Sequence, residues 1–143
     1  MTDLAAVQEI ETLIGRHFDG LSWSEGKRPD WRLFSADFLP GASLFPAARP
    51  VQKRTLEQFI DRMEGVFSGG ALRSFEEKTL GMRVLEFRNV AVVIASSEMI
   101  ENGQDVNYDV SGFLLVRSEG KWLIAAHAWD HATEQLPVPG FLR

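Results

Sequence analysis

At 143 residues, 45% of them hydrophobic, the chain is long enough for one domain with a single core and too short for two ordinary ones. A formal net charge of -5 argues against the basic face that nucleic acid or an anionic membrane demands, leaving small neutral or cationic ligands as candidates. The absence of cysteine excludes disulfide frameworks, cysteine metal sites and thiol nucleophiles.

The opening Met1-Thr2-Asp3-Leu4 carries no basic n-region before an apolar run, and no stretch approaches the ~18 apolar residues of a membrane span, so a soluble, cytoplasmic protein is expected. Leu4, Val7, Ile10, Ile14, Phe18 and Leu21 recur at three- and four-residue steps, predicting a helix of about five turns that buries one face. Residues 22–29 hold Gly26 and Pro29 among polar residues and form a loop, after which Asp30 caps a short helix beginning at Trp31. Leu33, Phe34 and Phe38 would pack it down. Pro40, Gly41, Pro46 and Pro50 then break the chain around a short strand at residues 42–45. Thr55-Leu56-Glu57-Gln58 has the form of a capping box, with Leu56, Phe59, Ile60, Met63 and Phe67 on one face of the helix it opens, and Gly69-Gly70 closes that helix.

From Leu72 onward the period becomes strand-like, with β-branched and aromatic runs at residues 73–79, 82–87, 90–100, 106–117 and 121–131. Arg88-Asn89 and Asn102-Gly103 separate consecutive antiparallel strands. Three helices followed by a meander of long strands give an α+β class, with helices on one face of an antiparallel sheet.

The first helix, Asp30-Trp31 through Leu33-Phe34 and Asp37-Phe38, the run Arg88-Asn89-Val90-Ala91-Val92-Val93, and Gly120-Lys121-Trp122-Leu123-Ile124 before Trp129-Asp130 make a succession that covers nearly the whole chain. It resembles the SnoaL-like branch of the nuclear transport factor 2-like superfamily. The resemblance implies a cystatin-like cone: a long N-terminal helix and two shorter ones packed in a strongly curved antiparallel sheet, a small-molecule pocket, and dimerisation through the sheet's outer face. Ketosteroid isomerase, scytalone dehydratase, polyketide cyclases and epoxide hydrolases share that fold, which does not by itself fix a function. The isomerase base has no counterpart here, since Ser43, Leu44, Phe45, Pro46 and Ala47 occupy its neighbourhood. Ser111 and Gly112 stand near its second acidic position, with Asp109 close by. The isomerase mechanism therefore does not carry over.

The register of the last hairpin decides which groups face a pocket. A three-residue loop at Ser118-Glu119-Gly120 would pair Arg117 with Lys121 and keep both off the apolar face. One face then carries Tyr108, Val110, Gly112, Leu114, Val116, Trp122, Ile124, Ala126, Ala128 and Asp130, with Tyr108 and Asp130 meeting as donor and acceptor. A two-residue Glu119-Gly120 loop would bring Asp109 opposite Asp130 instead. In the first register the other face holds Phe113, Leu115, Leu123, Ala125, His127, Trp129 and His131, too apolar to be left in water. A second subunit would cover it, making a homodimer, or else helices or a terminal segment of the same chain would.

Within this frame Asp130 is the candidate proton carrier in an apolar pocket, Tyr108 its hydrogen-bond donor and His17 a second polar group; the plainer alternatives are a strand-end hydrogen bond for Asp130 and a helix-end charge for His17. Trp31, Phe45, Glu76, Val110, Leu114, Trp122, Ile124 and Ala128 are the candidate ligand-binding residues, Glu76 being chosen over Glu77 as the inward member of that pair. His127 and His131 lie roughly 13 Å apart on one strand, too far for one ion, and read as hydrogen-bonded or interface histidines; no metal or cofactor is expected. The expected function is binding of a small, largely apolar molecule, with cofactor-free isomerase, cyclase or dehydratase-type chemistry. The rival is a non-catalytic homodimeric ligand-binding or protein-interaction module of the same fold.

Overall fold

The computed structural model describes residues 2–143. Helix α1, Leu4–Asp19, starts where the Asp3 side chain accepts from the Ala6 amide, and it buries Ala6, Ile10, Leu13, Ile14, His17 and Phe18. The buried stripe is displaced from the predicted one: Leu4 is 73% exposed, and Ala6, Leu13 and His17 join the core, because the sheet takes an arc wider than a single row of positions. Asp30 caps α2, Trp31–Ser35, by accepting from the Arg32 and Leu33 amides. Both arms of the capping box form at α3, Leu56–Ser68: the Gln58 amide donates to Thr55 Oγ1 (3.1 Å) and the Thr55 amide to Gln58 Oε1 (2.9 Å).

Five strands make one curved sheet in the order β1-β5-β4-β3-β2. They are β1 Phe38–Phe45, β2 Phe75–Phe87, β3 Val90–Glu101, β4 Asp105–Ser118 and β5 Lys121–His131. The last four form an antiparallel meander, while β1 adds parallel to β5. The predicted runs at residues 73–79 and 82–87 are one strand interrupted by a bulge between Thr79 and Gly81. Helices pack in the hollow of the sheet, where Ala91, Val93, Ala95, Phe113, Leu115, Trp122 and Ile124 form the core with α1.

The last hairpin corrects the preferred register. Glu119 and Gly120 both have positive φ (52° and 77°), which makes a two-residue loop that pairs Ser118 with Lys121 and Arg117 with Trp122. The ladder then shifts between Leu114 and Leu115, leaving Ala125 unpaired. A bulge reverses side-chain parity in one strand only. Trp122 and Ile124 before it, and His127, Trp129 and His131 after it, therefore share the hollow face, opposite Phe113, Ser111 and Asp109. The faces assigned by the three-residue loop are thereby exchanged on β4: Tyr108, Val110 and Leu114 point outward, together with Ala128 and Asp130 of β5. Phe113, Leu115, His127 and Trp129 line the interior rather than a subunit interface.

A terminal segment covers part of the outer face. Val138 and Leu142 are buried, Ser96 Oγ donates to the Leu142 carbonyl, and a single helical turn at Gly140–Leu142 lies against β2. Gly81 permits this approach, because a Cβ there would stand 2.7 Å from the Leu142 backbone.

Candidate functional site

The hollow face has an aromatic floor and a polar row. On the floor, Phe113 stacks on His127 (ring centroids 4.1 Å apart), His17 stacks on Phe34 (5.0 Å), and the two imidazoles meet edge to face at 5.1 Å. Phe18 and Phe38 close around them, and Trp129 connects His127 to Phe59 of α3. Among the described residues, none of the four ring nitrogens of His17 and His127 has a hydrogen-bond partner. Burial pushes His17 down to about 3 and His127 well below the ordinary imidazole value, with His17 adding to the second effect, so both are neutral at pH 7. In the ring faces around them, N–H groups find only weak acceptors.

The polar row crosses four strands. Ser97 of β3 pairs with Asp109 of β4, which pairs with His131 of β5. Ser97 Oγ donates to Glu77 Oε2 of β2 at 2.8 Å, and His131 Nδ1 lies 2.6 Å from Asp109 Oδ1. The Glu77 amide donates to Ser22 Oγ just beyond α1. Burial raises the Glu77 carboxyl to about 8, opposed by the Ser97 bond and reinforced by the negative charge of Asp109. Asp109 is raised by burial as well, against the opposing pull of His131 and with a contribution from Asp130. An ionised Asp109 can only accept, so the contact is then a hydrogen bond donated by His131 Nδ1–H, with Nε2 directed away from the pair. The His131 side chain is 66% exposed and that of Asp109 only 9%, so the imidazole is the solvent-facing member of the pair.

Of the expected site residues, His17 lies on the aromatic floor, while Trp122 and Ile124 are buried in the interior. Trp31 is half-buried, packs its ring edge on Phe34 and donates Nε1–H to Glu64. Phe45 is half-buried on β1 opposite Ala128. Glu76 is exposed and Glu77 points inward, because the hollow face takes Phe75, Glu77 and Thr79. Asp130 lies outside the hollow, 68% exposed, with Oδ2 3.7 Å from Arg49 and Oδ1 accepting from the His131 amide. Tyr108 pairs with Glu98 and not with Asp130, and it lines an outer cavity of about 640 Å³ beneath the terminal segment. Val110, Leu114 and Ala128 belong to the outer face too. The outward placement of Tyr108, Val110, Leu114, Ala128 and Asp130 has one cause, the two-residue loop with its following bulge. Glu77, Ser97, Asp109 and His131 do not stand out in the sequence, since they are spread over 55 positions and only strand register unites them; the signal that pointed to Asp109 was the alternative two-residue loop.

No family model matches the sequence, and no curated protein matches it. Solved structures do resemble it. An NTF2-like protein of unknown function from Pseudomonas putida superposes with a TM-score of 0.73 at 15% identity, covering 100% of this chain and 99% of that one. A proposed dehydratase of the NTF2-like family from Streptomyces avermitilis gives 0.71 at 12% identity over 92% and 99% of the two chains. A proposed scytalone dehydratase from Novosphingobium aromaticivorans gives 0.69 at 14% identity over 91% and 86%. Superposition over nearly the full length of such structures, together with the long first helix held in a curved five-stranded sheet, identifies the chain as having the NTF2-like, cystatin-like fold.

Proposed function

We propose that this chain, as a single SnoaL-like domain, binds a small, largely apolar ketone at the open end of the hollow and moves a proton on it with His131 as base. The observation that carries this reading is the Asp109–His131 pair: a buried carboxylate 2.6 Å from a solvent-facing imidazole fixes the ring's orientation and tautomer and stabilises its cation. Trp129 and Met99 flank the pair on the hollow face and supply apolar surface. In a β-hydroxy ketone, Nε2 takes the proton next to the carbonyl, the C–H electron pair becomes the new C=C bond, and the hydroxyl leaves as water with the proton His131 returns. The proposed dehydratases among the similar structures favour that reaction over isomerisation or cyclisation.

A panel of β-hydroxy ketones and enolisable aromatic ketones tests it. Turnover, or deuterium uptake next to the carbonyl, should fall about a hundredfold or more in His131→Asn with the fold intact, the usual scale for losing a positioned proton carrier. No conversion or exchange above buffer by the folded protein would favour the non-catalytic module. That second reading draws on the filled aromatic floor, which leaves little room deep in the cone, and on the exposed Val92, Ile94 and Leu114 of the outer face, which suit a homodimer.

A further inference from the structure

The outer cavity beneath the terminal segment has no part in the proton transfer just described, and it lies across the sheet from the Asp109–His131 pair. It exists because the chain bridges the sheet instead of following it. The Ala132 amide ties the chain leaving β5 to the Tyr108 carbonyl, Thr133 and Leu136 close a turn through two hydrogen bonds, and Ser96 holds the chain again at Leu142. The arch so formed spans about 640 Å³, the size of an ordinary small-molecule pocket. Val106, Pro137 and Val138 give it apolar walls. Glu98 and Tyr108, cross-strand partners on the outer face of β3 and β4, give it a carboxylate beside an aromatic ring.

We infer that this cavity is a second binding site, taking a small cationic amine with an apolar body: the ammonium bonds to Glu98 beside the Tyr108 ring, and the body lies against Val106, Pro137 and Val138. Charge decides the class. Glu98 and Glu134 line the cavity against one cation, Arg143, whose Nε already donates to the Val138 carbonyl. The Glu98 side chain is only 19% exposed, and its one partner among the described residues is the exposed Lys78, 3.3 Å from Oε1 and outside the cavity lining. A pair of that kind holds its carboxylate weakly, which leaves Oε2 as an acceptor for a further donor. A carboxylate so far withdrawn from water gains more from a charged donor than an exposed one does. The aromatic ring next to it adds the attraction of its face for a cation. The apolar walls then call for a hydrocarbon body, and a cavity of this volume accommodates roughly one or two rings.

Tyr108 is the only tyrosine in the chain, so labelling with fluorotyrosine puts a single fluorine NMR signal at this cavity. The probes are naphthylethylamine, which is protonated at pH 7, naphthylethanol, which has the same body without the charge, and naphthylacetate, which reverses it. The amine should shift the Tyr108 signal saturably, and the alcohol and the acid should bind about tenfold or more weakly, the scale of one charge-assisted hydrogen bond. Glu98→Gln should weaken the amine by a similar factor and leave the alcohol unchanged. Comparison of the probes on the unmutated protein decides the matter if Glu98→Gln does not fold. No saturable shift with the amine, equal affinity for amine and alcohol, preference for the acid, or amine binding unchanged in a folded Glu98→Gln variant would each overturn the inference.

Discussion

Asp109 and His131 face each other across β4 and β5, side chains 2.6 Å apart, because one residue, Ala125, is left out of the ladder between them and the hairpin turn. Without that bulge a regular ladder from the two-residue loop would set Asp109 against Asp130, as the alternative sequence register anticipates. Deleting Ala125 should remove the bulge and keep the pairing, because Ala126 would then follow Ile124 directly opposite Leu114 and His131 would stay opposite Asp109. The expected result is a folded variant with cooperative unfolding and soluble yield retained, measured by circular dichroism during thermal melts, since no side chain changes face. Loss of cooperative unfolding would show that the extra residue is needed for more than the alternation of faces.

Asp109→Asn should keep the fold and release the imidazole. Nitrogen NMR should show the Nδ1–H tautomer of His131 in the wild-type protein and a mixture in the variant, with exchange of a bound ketone reduced about a hundredfold, the scale of a lost general-base arrangement. An unaltered tautomer would mean that Asp109 does not orient the ring.

The buried ionisable groups give stability a defined dependence on pH. His17 titrates at about 3 in the folded chain against 6.5 unfolded, so between those values the unfolded chain binds the extra proton. Its contribution is complete above pH 6.5 and is lost as pH falls toward 3, and His127 acts in the same direction. Glu77 has the opposite sign. Its folded value of about 8 exceeds the ordinary 4.5, so its contribution is present below 4.5 and lost as pH rises through 8. Two histidines outweigh one carboxyl below pH 6.5, and the carboxyl acts alone above it, which places the stability maximum of these three groups near pH 6.5. Each full proton difference changes stability by about 1.4 kcal/mol per pH unit. Denaturant midpoints across this range should peak there, with the acid limb flattened in His17→Leu and the alkaline limb flattened in Glu77→Gln. Limbs unchanged in both variants would assign the pH dependence to other groups.

Assembly is tested on the face that the structure exposes. Leu114→Glu or Ile94→Glu should convert a homodimer into monomers in light scattering without lowering monomer stability, because both positions lie on the outer sheet. Trp129→Glu should instead damage the fold, since that indole packs against Phe59 and His127. Monomeric wild-type protein at micromolar concentration would end the dimer proposal.

Much of this architecture is legible from short-range chemistry. Asp30 and Thr55 announce their helices because a capping side chain acts on amides two or three residues away, and the first helix declares its length through a repeat along one chain. The site is a different matter. Glu77, Ser97, Asp109 and His131 meet through pairing between four strands, and each assignment of face depends on counting residues through a turn and two bulges. Glu119 occupies a left-handed position that favours glycine, asparagine or aspartate, so the sequence understates how short the turn is. One miscounted residue carries Asp130 into the hollow and His131 out of it.

The parallel pairing of β1 with β5 has a consequence for how the chain reaches this form. Phe38 and Leu44 have sheet partners in Ile124 and His127, so the strand that follows α2 has only the local bridge from Leu44 to Arg54 until the last hairpin exists. The meander can assemble by local zipping from one turn to the next, whereas closing the sheet joins segments separated by most of the sequence. Loop-closure entropy opposes that step, and folds dominated by such pairings form slowly. Docking of β1 on β5 is therefore the expected late event in folding, and it coincides with the enclosure of His17 and His127 between Phe38 and Phe113.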